Sequence, residues 1–277
     1  MTVGELYNRI RSELREGWIE DHRFEAEQLL RSAGFDKIKL VTEPQREIPE
    51  DISAEIIGRI SRRIAGEPLQ YILGEWEFYG LPFRVGEGVL IPRQDTETLV
   101  EVSLRFLEDR GADRRKTLDI CAGSGCIGIA LAKTANAEVT CVEKSSLAFK
   151  YLEENIALNG ASVRAVLGDA LDERTTPGEY DLIVSNPPYL SAEDMSVLQK
   201  EVRFEPEAAL FGGEDGLNFY RVLIPMYTRM LKSGGMMAVE IGMGQENAVC
   251  GIFRENGLTP QCERDMSGII RVVYSIK

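Results

Sequence analysis

The sequence predicts an α/β protein: a mostly parallel seven-stranded sheet, covered by helices and closed by a C-terminal antiparallel hairpin, preceded by a small all-α helical bundle. Three observations predict it. From Thr117 onward, short apolar runs rich in β-formers alternate with helical stretches, as in a parallel sheet buried on both faces. Up to about residue 72 the apolar residues recur every three or four positions instead, the period of packed helices. At the end of the chain, "LTPQCERDMSGIIRVVYSIK" places two strands in succession across Gly268 with no helix between them.

The bundle begins with "TVGELYNRIRSELREG". Thr2 and Glu5 are spaced as a capping box, Leu6, Ile10 and Leu14 lie four apart, and the helix stops near Gly17. A second helix runs from about Asp21 to Gly34 with Phe24, Leu29 and Leu30 inward. After a connector holding Pro44 and Pro49, "SAEIIGRISRRIAG" puts Ile56, Ile57, Ile60 and Ile64 on one face and ends at Gly66. These elements make a domain over residues 1–72. "EWEFYGLPFRVGEGVLIPR" then gives two short runs divided by Gly80 and Pro82, a hairpin linker over 73–94. The second domain, 95–277, carries the strands "TLDIC", "EVTCVE", "VRAVLGD", "DLIVSN" and "GGMMAVEIG". Its clearest helix is "LAFKYLEENIALNG".

Composition excludes several kinds of chemistry. No apolar run is long enough to span a bilayer, and the charged N-terminus is unlike a secretion signal, so a cytoplasmic protein without membrane contact is expected. The five cysteines are scattered with no C-x-x-C pair, which argues for reduced core thiols and against a zinc site. His22 is the single histidine and sits in a polar stretch, which leaves little room for histidine-ligated metal or a Ser-His pair; the metal expectation is none. A net charge of −13 argues against stable nucleic-acid binding, which needs a basic surface to displace counterions. The basic stretch around Arg62 and Arg63 reads as a solvated helix face, with local RNA contact as the alternative.

Four strand ends offer chemistry. The first strand runs into Cys121-Ala122-Gly123-Ser124-Gly125, and Gly123, Gly125 and Gly128 match G-x-G-x-x-G before a helix. Such glycines let a ligand approach the peptide plane at a helix N-terminus, although a strand-to-helix turn uses glycine in any case. The second strand ends at Glu143, placed to accept both hydroxyls of a ribose, which suits a nicotinamide dinucleotide and S-adenosylmethionine equally. The third ends in Gly168-Asp169-Ala170, where a carboxylate can accept from an adenine amine and the next amide can donate to the ring.

The fourth, Asn186-Pro187-Pro188-Tyr189, favours S-adenosylmethionine. Prolines at the exit of a central strand hold the backbone rigid where the sheet stops. The Asn186 side chain and the Pro187 carbonyl give two acceptors, and Tyr189 an aromatic face, suited to a planar NH2 on an sp2 carbon as in glutamine, adenine or cytosine. Such a nitrogen is a poor nucleophile, and acceptors on its hydrogens orient it and favour the positive charge that grows as it attacks a methyl-sulfonium. The methylated nitrogen is then acidic enough to lose its proton to water, so no catalytic histidine is needed.

These residues resemble the release factor glutamine methyltransferases. Asn186 to Tyr189 are shared with amino-methyltransferases acting on DNA and RNA and do not choose the substrate. "QYILGEWEFYGLPFRVGEGVLIPRQDTETLVE" (70–101) resembles the family's link between its helical and catalytic domains, and "EPEAALFGGEDGLNFYR" (205–221) is similarly family-like. The resemblance implies a class I S-adenosylmethionine-dependent methyltransferase fold, Rossmann-like. It also implies methylation of the glutamine side-chain N5 in the Gly-Gly-Gln motif of peptide chain release factors, with S-adenosylhomocysteine as product. By position, Cys121, Ala122, Gly123, Ser124 and Gly125 would hold the methionine end of the cofactor, Glu143 the ribose, and Asp169 with Ala170 the adenine. Asn186 would contact cofactor and substrate, and Asn186, Pro187, Pro188 and Tyr189 would clamp the glutamine. The helical domain would recognise the protein substrate. Cys121 stands where the family mostly has glycine and Glu143 where aspartate is frequent. Asp95 fits an N-cap with Glu97 in the first turn, and Arg93 a partner for the cofactor carboxylate or for Glu97. The alternatives are adenine or cytosine methylation on nucleic acid, a nicotinamide-dependent oxidoreductase, and a non-catalytic binding module.

Overall fold

A computed structural model describes residues 1–108, 115–135 and 137–277. The chain divides into two units: Met1–Gly74 with Gln199–Phe204, and Glu75–Leu198 with Glu205–Lys277.

The first unit is helical: α1 (Val3–Glu16), α2 (His22–Ser32), α3 (Lys37–Thr42), α4 (Glu50–Ile64) and α5 (Leu69–Leu73). The Thr2–Glu5 capping box is formed, and Val3, Leu6, Ile10 and Leu14 of α1 are wholly buried. Two expectations fail here. Phe24 is 48% exposed, because α2 turns Glu25, Ala26, Leu29 and Leu30 inward instead. On α4 the buried line is Ser53, Ile56, Ile60 and Arg63, while Ile64 faces out. The rotation has an electrostatic cause. Arg63 donates to both Glu25 oxygens at 2.7 and 2.9 Å and to Glu201 at 2.5 Å, so the expected solvated basic patch is half an internal ion-pair network. The short helices α3 and α5 were not expected, since six and five residues carry too little period to read.

The second unit opens with the hairpin β1 (Glu75–Phe78) and β2 (Leu81–Arg84), turned by Tyr79 and Gly80, both at positive φ. A two-residue loop of that kind follows the twist of the strands it joins. After a short 3-10 turn, Gln94–Thr96, come α6 (Glu97–Glu108), β3 (Arg115–Ile120), α7 (Cys126–Thr134), β4 (Ala137–Glu143), α8 (Ser146–Asn159), β5 (Val163–Leu167) and β6 (Tyr180–Ser185). Then follow α9 (Ala192–Ser196), α10 (Asn218–Arg229), β7 (Leu231–Glu240), α11 (Glu246–Glu255), β8 (Gln261–Arg264) and β9 (Ile270–Ile276).

The sheet order is β5-β4-β3-β6-β7-β9-β8. The first five strands are parallel; β9 runs antiparallel to both β7 and β8. The expected seven-stranded sheet and its terminal hairpin are therefore present, with β9 inserted beside β7 and β8 at the edge. Apolar cores lie on both faces, one around Leu99, Ile129, Val139 and Leu182, the other around Leu118, Ile183, Tyr220 and Phe253. Among the described residues no helix is long and apolar enough to cross a membrane.

The cysteines depart in part from the expectation of core thiols. Cys126, Cys141 and Cys250 are buried, but Cys262 on β8 is exposed, and its sulfur lies 3.6 Å from that of Cys250 on α11.

Candidate active site

From β3 the chain steps outward to β4 and β5, then returns to build β6 and β7 on the other side. The carboxyl ends of β3 and β6 therefore flank the point where the strand order reverses, where open α/β sheets form a ligand crevice. A cavity of about 770 Å3 opens there. Cys121, Ala122, Gly123, Ser124, Glu143, Asp169, Ala170, Asn186 and Pro188 line it. Gly125, Pro187 and Tyr189 do not form its wall.

The glycine loop holds its shape through close packing. Gly123 has φ +56° with open space above it, so its peptide plane is approachable. A Cβ on Gly128 would stand 2.2 Å from Cys141 Sγ, so α7 can lie this close to β4 only with glycine there. Cys121 adopts φ +63°, a conformation glycine takes freely. The cysteine thus keeps a backbone shape suited to glycine, the residue the resemblance leads one to expect there. Burial pushes its thiol up to about 12, so it stays neutral.

Each expected polar group meets a local partner. Glu143 accepts the Gly123 amide hydrogen at 2.8 Å on one oxygen and that of Ser145 at 2.6 Å on the other. Each oxygen keeps a lone pair, so the carboxylate is oriented without being saturated. Asp169 accepts from the Leu171 amide at 2.9 Å and pairs with Lys144 at 2.8 Å. The Lys144 ammonium beside Asp169 holds its carboxyl below the usual carboxylate range. Lys144 also lines the cavity, and the sequence reading passed over it.

At the β6 exit, Asn186 donates through Nδ2 to Thr96 Oγ1 at 3.3 Å. The following backbone is pinned from outside: Gln245 donates to the Tyr189 carbonyl at 2.9 Å, the Leu190 amide donates to the Leu210 carbonyl at 2.8 Å, and the Leu190 carbonyl accepts from the Gly212 amide at 2.8 Å. The Tyr189 hydroxyl turns to Glu240 at 3.4 Å, at the end of β7. Burial pushes that phenol well up. Glu240 is itself buried, and its carboxyl is pushed up to about 7 by burial.

The assignments expected for the 93–97 segment are corrected in part. Arg93 pairs with the buried Glu205, which also accepts the Ile91 amide hydrogen at 3.0 Å. Its partner is thus Glu205 rather than Glu97, and its side chain also lines the cavity. Asp95 makes no cap and pairs with Arg271 at 3.0 Å. Glu97 does lie in the first turn of α6, where it accepts from the Tyr79 amide at 2.9 Å. Thr96, Glu205 and Glu240 were missed. The signal for Glu240 was present, since it is the single charge in "GGMMAVEIG". Among the described residues no group of histidine, cysteine or carboxylate side chains could hold a metal ion.

Comparison with known proteins bears on the same regions. Residues 95–210 match the family described as Methyltransferase small domain, and residues 5–74 the PrmC N-terminal domain. A release factor glutamine methyltransferase of Geobacter sulfurreducens is 43% identical over 98% of this chain and 95% of its own length. One of Thermodesulfovibrio yellowstonii is 41% identical over 86% of each chain. Among solved structures, a methyltransferase from Pyrococcus furiosus superposes with a TM-score of 0.55 at 19% identity, covering 83% of this chain and 99% of that one, a likeness of fold. With near-complete, two-way coverage at this identity, the chain belongs to the release factor glutamine methyltransferase family.

Proposed function

We propose that this protein transfers a methyl group from S-adenosylmethionine to the side-chain amide nitrogen of a glutamine in a peptide chain release factor. The observation that carries the reading is Asn186: a carboxamide at the rim of the switch-point cavity, its nitrogen end tied to Thr96, at the exit of a strand stiffened by two prolines.

The cavity suits the cofactor on its donor set. Glu143 retains lone pairs for a ribose diol, Asp169 for an adenine amine, and the Cys121–Ser124 backbone runs along the wall with no Cβ over Gly123. S-adenosylmethionine would supply a methyl group on a positively charged sulfur. The protein's part is to bind, orient and exclude. Asn186 Oδ1 and the Pro187 carbonyl would accept from the glutamine NH2, holding its plane and stabilising the positive charge that develops on nitrogen. The proton then leaves to water, so the site needs no strong base. Tyr189 lies outside the wall and is tied to Glu240, so its part in the clamp would require its ring to meet the substrate from the rim.

The helical unit would hold the release factor, a role supported by the match of residues 5–74 to a domain characteristic of this family. The test is direct. The protein is incubated with S-adenosylmethionine and a purified release factor, and the added methyl is located by peptide mass spectrometry. Modification of the Gly-Gly-Gln glutamine supports the reading; methyl transfer to DNA or RNA adenine or cytosine, with the release factor unmodified, overturns it.

A further inference from the structure

Cys250 and Cys262 meet from two different elements. Cys250 lies on α11, is 6% exposed, and belongs to the core on one face of the sheet. Cys262 lies on the edge strand β8, directly opposite Val273 of β9. Paired residues put their side chains on the same face of a sheet, and Val273 belongs to the same core as Cys250. Cys262 therefore points to the face that α11 covers, at its margin, where solvent reaches it. Glu263, next along the strand, takes the other face and pairs with Arg105 of α6 at 2.9 Å. The two sulfurs stand 3.6 Å apart. Closing that gap to the roughly 2.05 Å of a disulfide needs a movement that side-chain rotation can supply.

The unequal access of the two thiols divides their roles. Oxidation by a peroxide requires a sulfur that the oxidant can reach, which Cys262 is and Cys250 is not. Burial, with the Cys262 sulfur beside it, pushes the Cys250 thiol up to about 11, so it keeps its proton until its neighbour becomes electrophilic. Burial also pushes Cys121 and Cys126 up to about 12 and Cys141 well up, which makes them poor competitors. We infer that Cys262 and Cys250 form a reversible disulfide when the protein meets a hydroperoxide, Cys262 reacting first and Cys250 resolving the product. With hydrogen peroxide, the Cys262 sulfur attacks one oxygen, the O–O bond breaks, and the departing oxygen leaves as water with the thiol hydrogen. The Cys250 sulfur then attacks the Cys262 sulfenic acid, the S–O bond breaks, and hydroxide leaves as a second water with the Cys250 hydrogen. Two thiols and one peroxide become one disulfide and two waters; each sulfur gives up one electron and each peroxide oxygen gains one. A dithiol reductant reverses the bond by exchange. The exposed cysteine is thereby stopped short of sulfinic acid, which thiols do not reduce.

The inference is independent of the methyl-transfer reading, and so is its test. Reduced full-length protein is treated with hydrogen peroxide, its remaining thiols are blocked with iodoacetamide, and it is digested with trypsin. Arg254 lies between the two cysteines, so cleavage separates them unless their sulfurs are joined. The native protein should lose two hydrogens in intact mass and yield the peptides of Cys250 and Cys262 as one species, which dithiothreitol divides. Cys250→Ala should instead gain oxygen on Cys262, trapped by dimedone as sulfenic acid and passing with time to a form that dithiothreitol does not reverse. Cys262→Ser, a change on the exposed edge that leaves the core intact, should lose no hydrogens. Native protein that accumulates oxygen on Cys262 with the peptides unjoined, that links Cys262 to another cysteine or a second chain, or that peroxide leaves unmodified, overturns the inference.

Discussion

A Cβ on Gly212 would stand 2.7 Å from the Pro188 carbonyl oxygen and 2.8 Å from Tyr189 Cα. The segment after residue 205 is thus packed directly on the backbone of the Asn-Pro-Pro-Tyr elbow. Its family-like sequence has a steric reason, because a side chain at this place would have to push the elbow away.

Gly212→Ala should therefore act on both stability and turnover. Overpacking costs about 1–3 kcal/mol. Displacing the elbow by a fraction of an ångström should slow transfer about tenfold or more, with cofactor affinity less affected. Thermal melting and initial rates check this, and a variant that melts and turns over like the native protein contradicts it.

Cys121 should tolerate glycine and resist branching. Its φ of +63° costs a non-glycine residue about 1–2 kcal/mol, which glycine relieves at the expense of a freer unfolded chain. Cys121→Gly should bind S-adenosylmethionine within about threefold of the native affinity. Cys121→Val, whose branched Cβ fits this conformation worst, should weaken binding about tenfold or more. Calorimetric titration distinguishes them; equal affinities for glycine and valine would show that the backbone conformation is unimportant.

Asp119 should make stability fall as pH rises. It is fully buried, accepts from the Gly128 amide at 2.9 Å, and has its carboxyl pushed up to about 7 by burial, with Oδ1 unpartnered. An unfolded aspartate titrates near about 3.9, so the native state binds this proton more tightly. Stability contributed by the protonated form is present below that unfolded value and is lost as pH climbs toward about 7. Asp119→Asn removes the ionisation. Scanning calorimetry should find the melting temperature of the variant gaining on the native protein between about pH 4 and about pH 7. Glu240 has the same sign and window, so part of the native slope remains. Parallel curves for the two proteins would contradict the assignment.

Arg63 should be the costliest single charge to remove from the helical unit. Its side chain is 4% exposed and that of Glu25 10%, so Arg63→Met strands a carboxylate inside. Breaking a buried pair from one side costs about 3–5 kcal/mol. Adding Glu25→Gln should return a large part of that loss. Chemical denaturation of the two single variants and the double variant measures the coupling, and additive losses would contradict it.

The difference between Arg63 and the strands shows what a sequence can and cannot reveal. A buried strand such as Tyr180–Ser185 is legible because its partners are generic: any apolar neighbour on either face will do. The glycine loop and the two prolines are legible for a related reason, since each constrains the backbone by its own covalent structure. Arg63 reads as a surface cation because its specific partners, Glu25 and Glu201, lie 38 and 138 residues away. Glu205 is hidden from Arg93 and Ile91 in the same way, at separations of 112 and 114. Phe24 was placed inward on hydrophobicity alone, whereas the ion pair brings its neighbour Glu25 inside and turns α2 accordingly. The local chemistry of the candidate site could thus be read from its strand ends, but not the bonds from Thr96, Gln245 and Lys144 that orient it.

The central claim is that the Asn186 carboxamide orients and activates the accepting nitrogen. The most direct measurement is the rate of methyl transfer to a release factor by Asn186→Ala, with cofactor and protein substrate both saturating, alongside cofactor affinity by calorimetry. The account predicts a fall in rate of about 100-fold or more with affinity changed by no more than about threefold. A variant that transfers methyl at the native rate would contradict it.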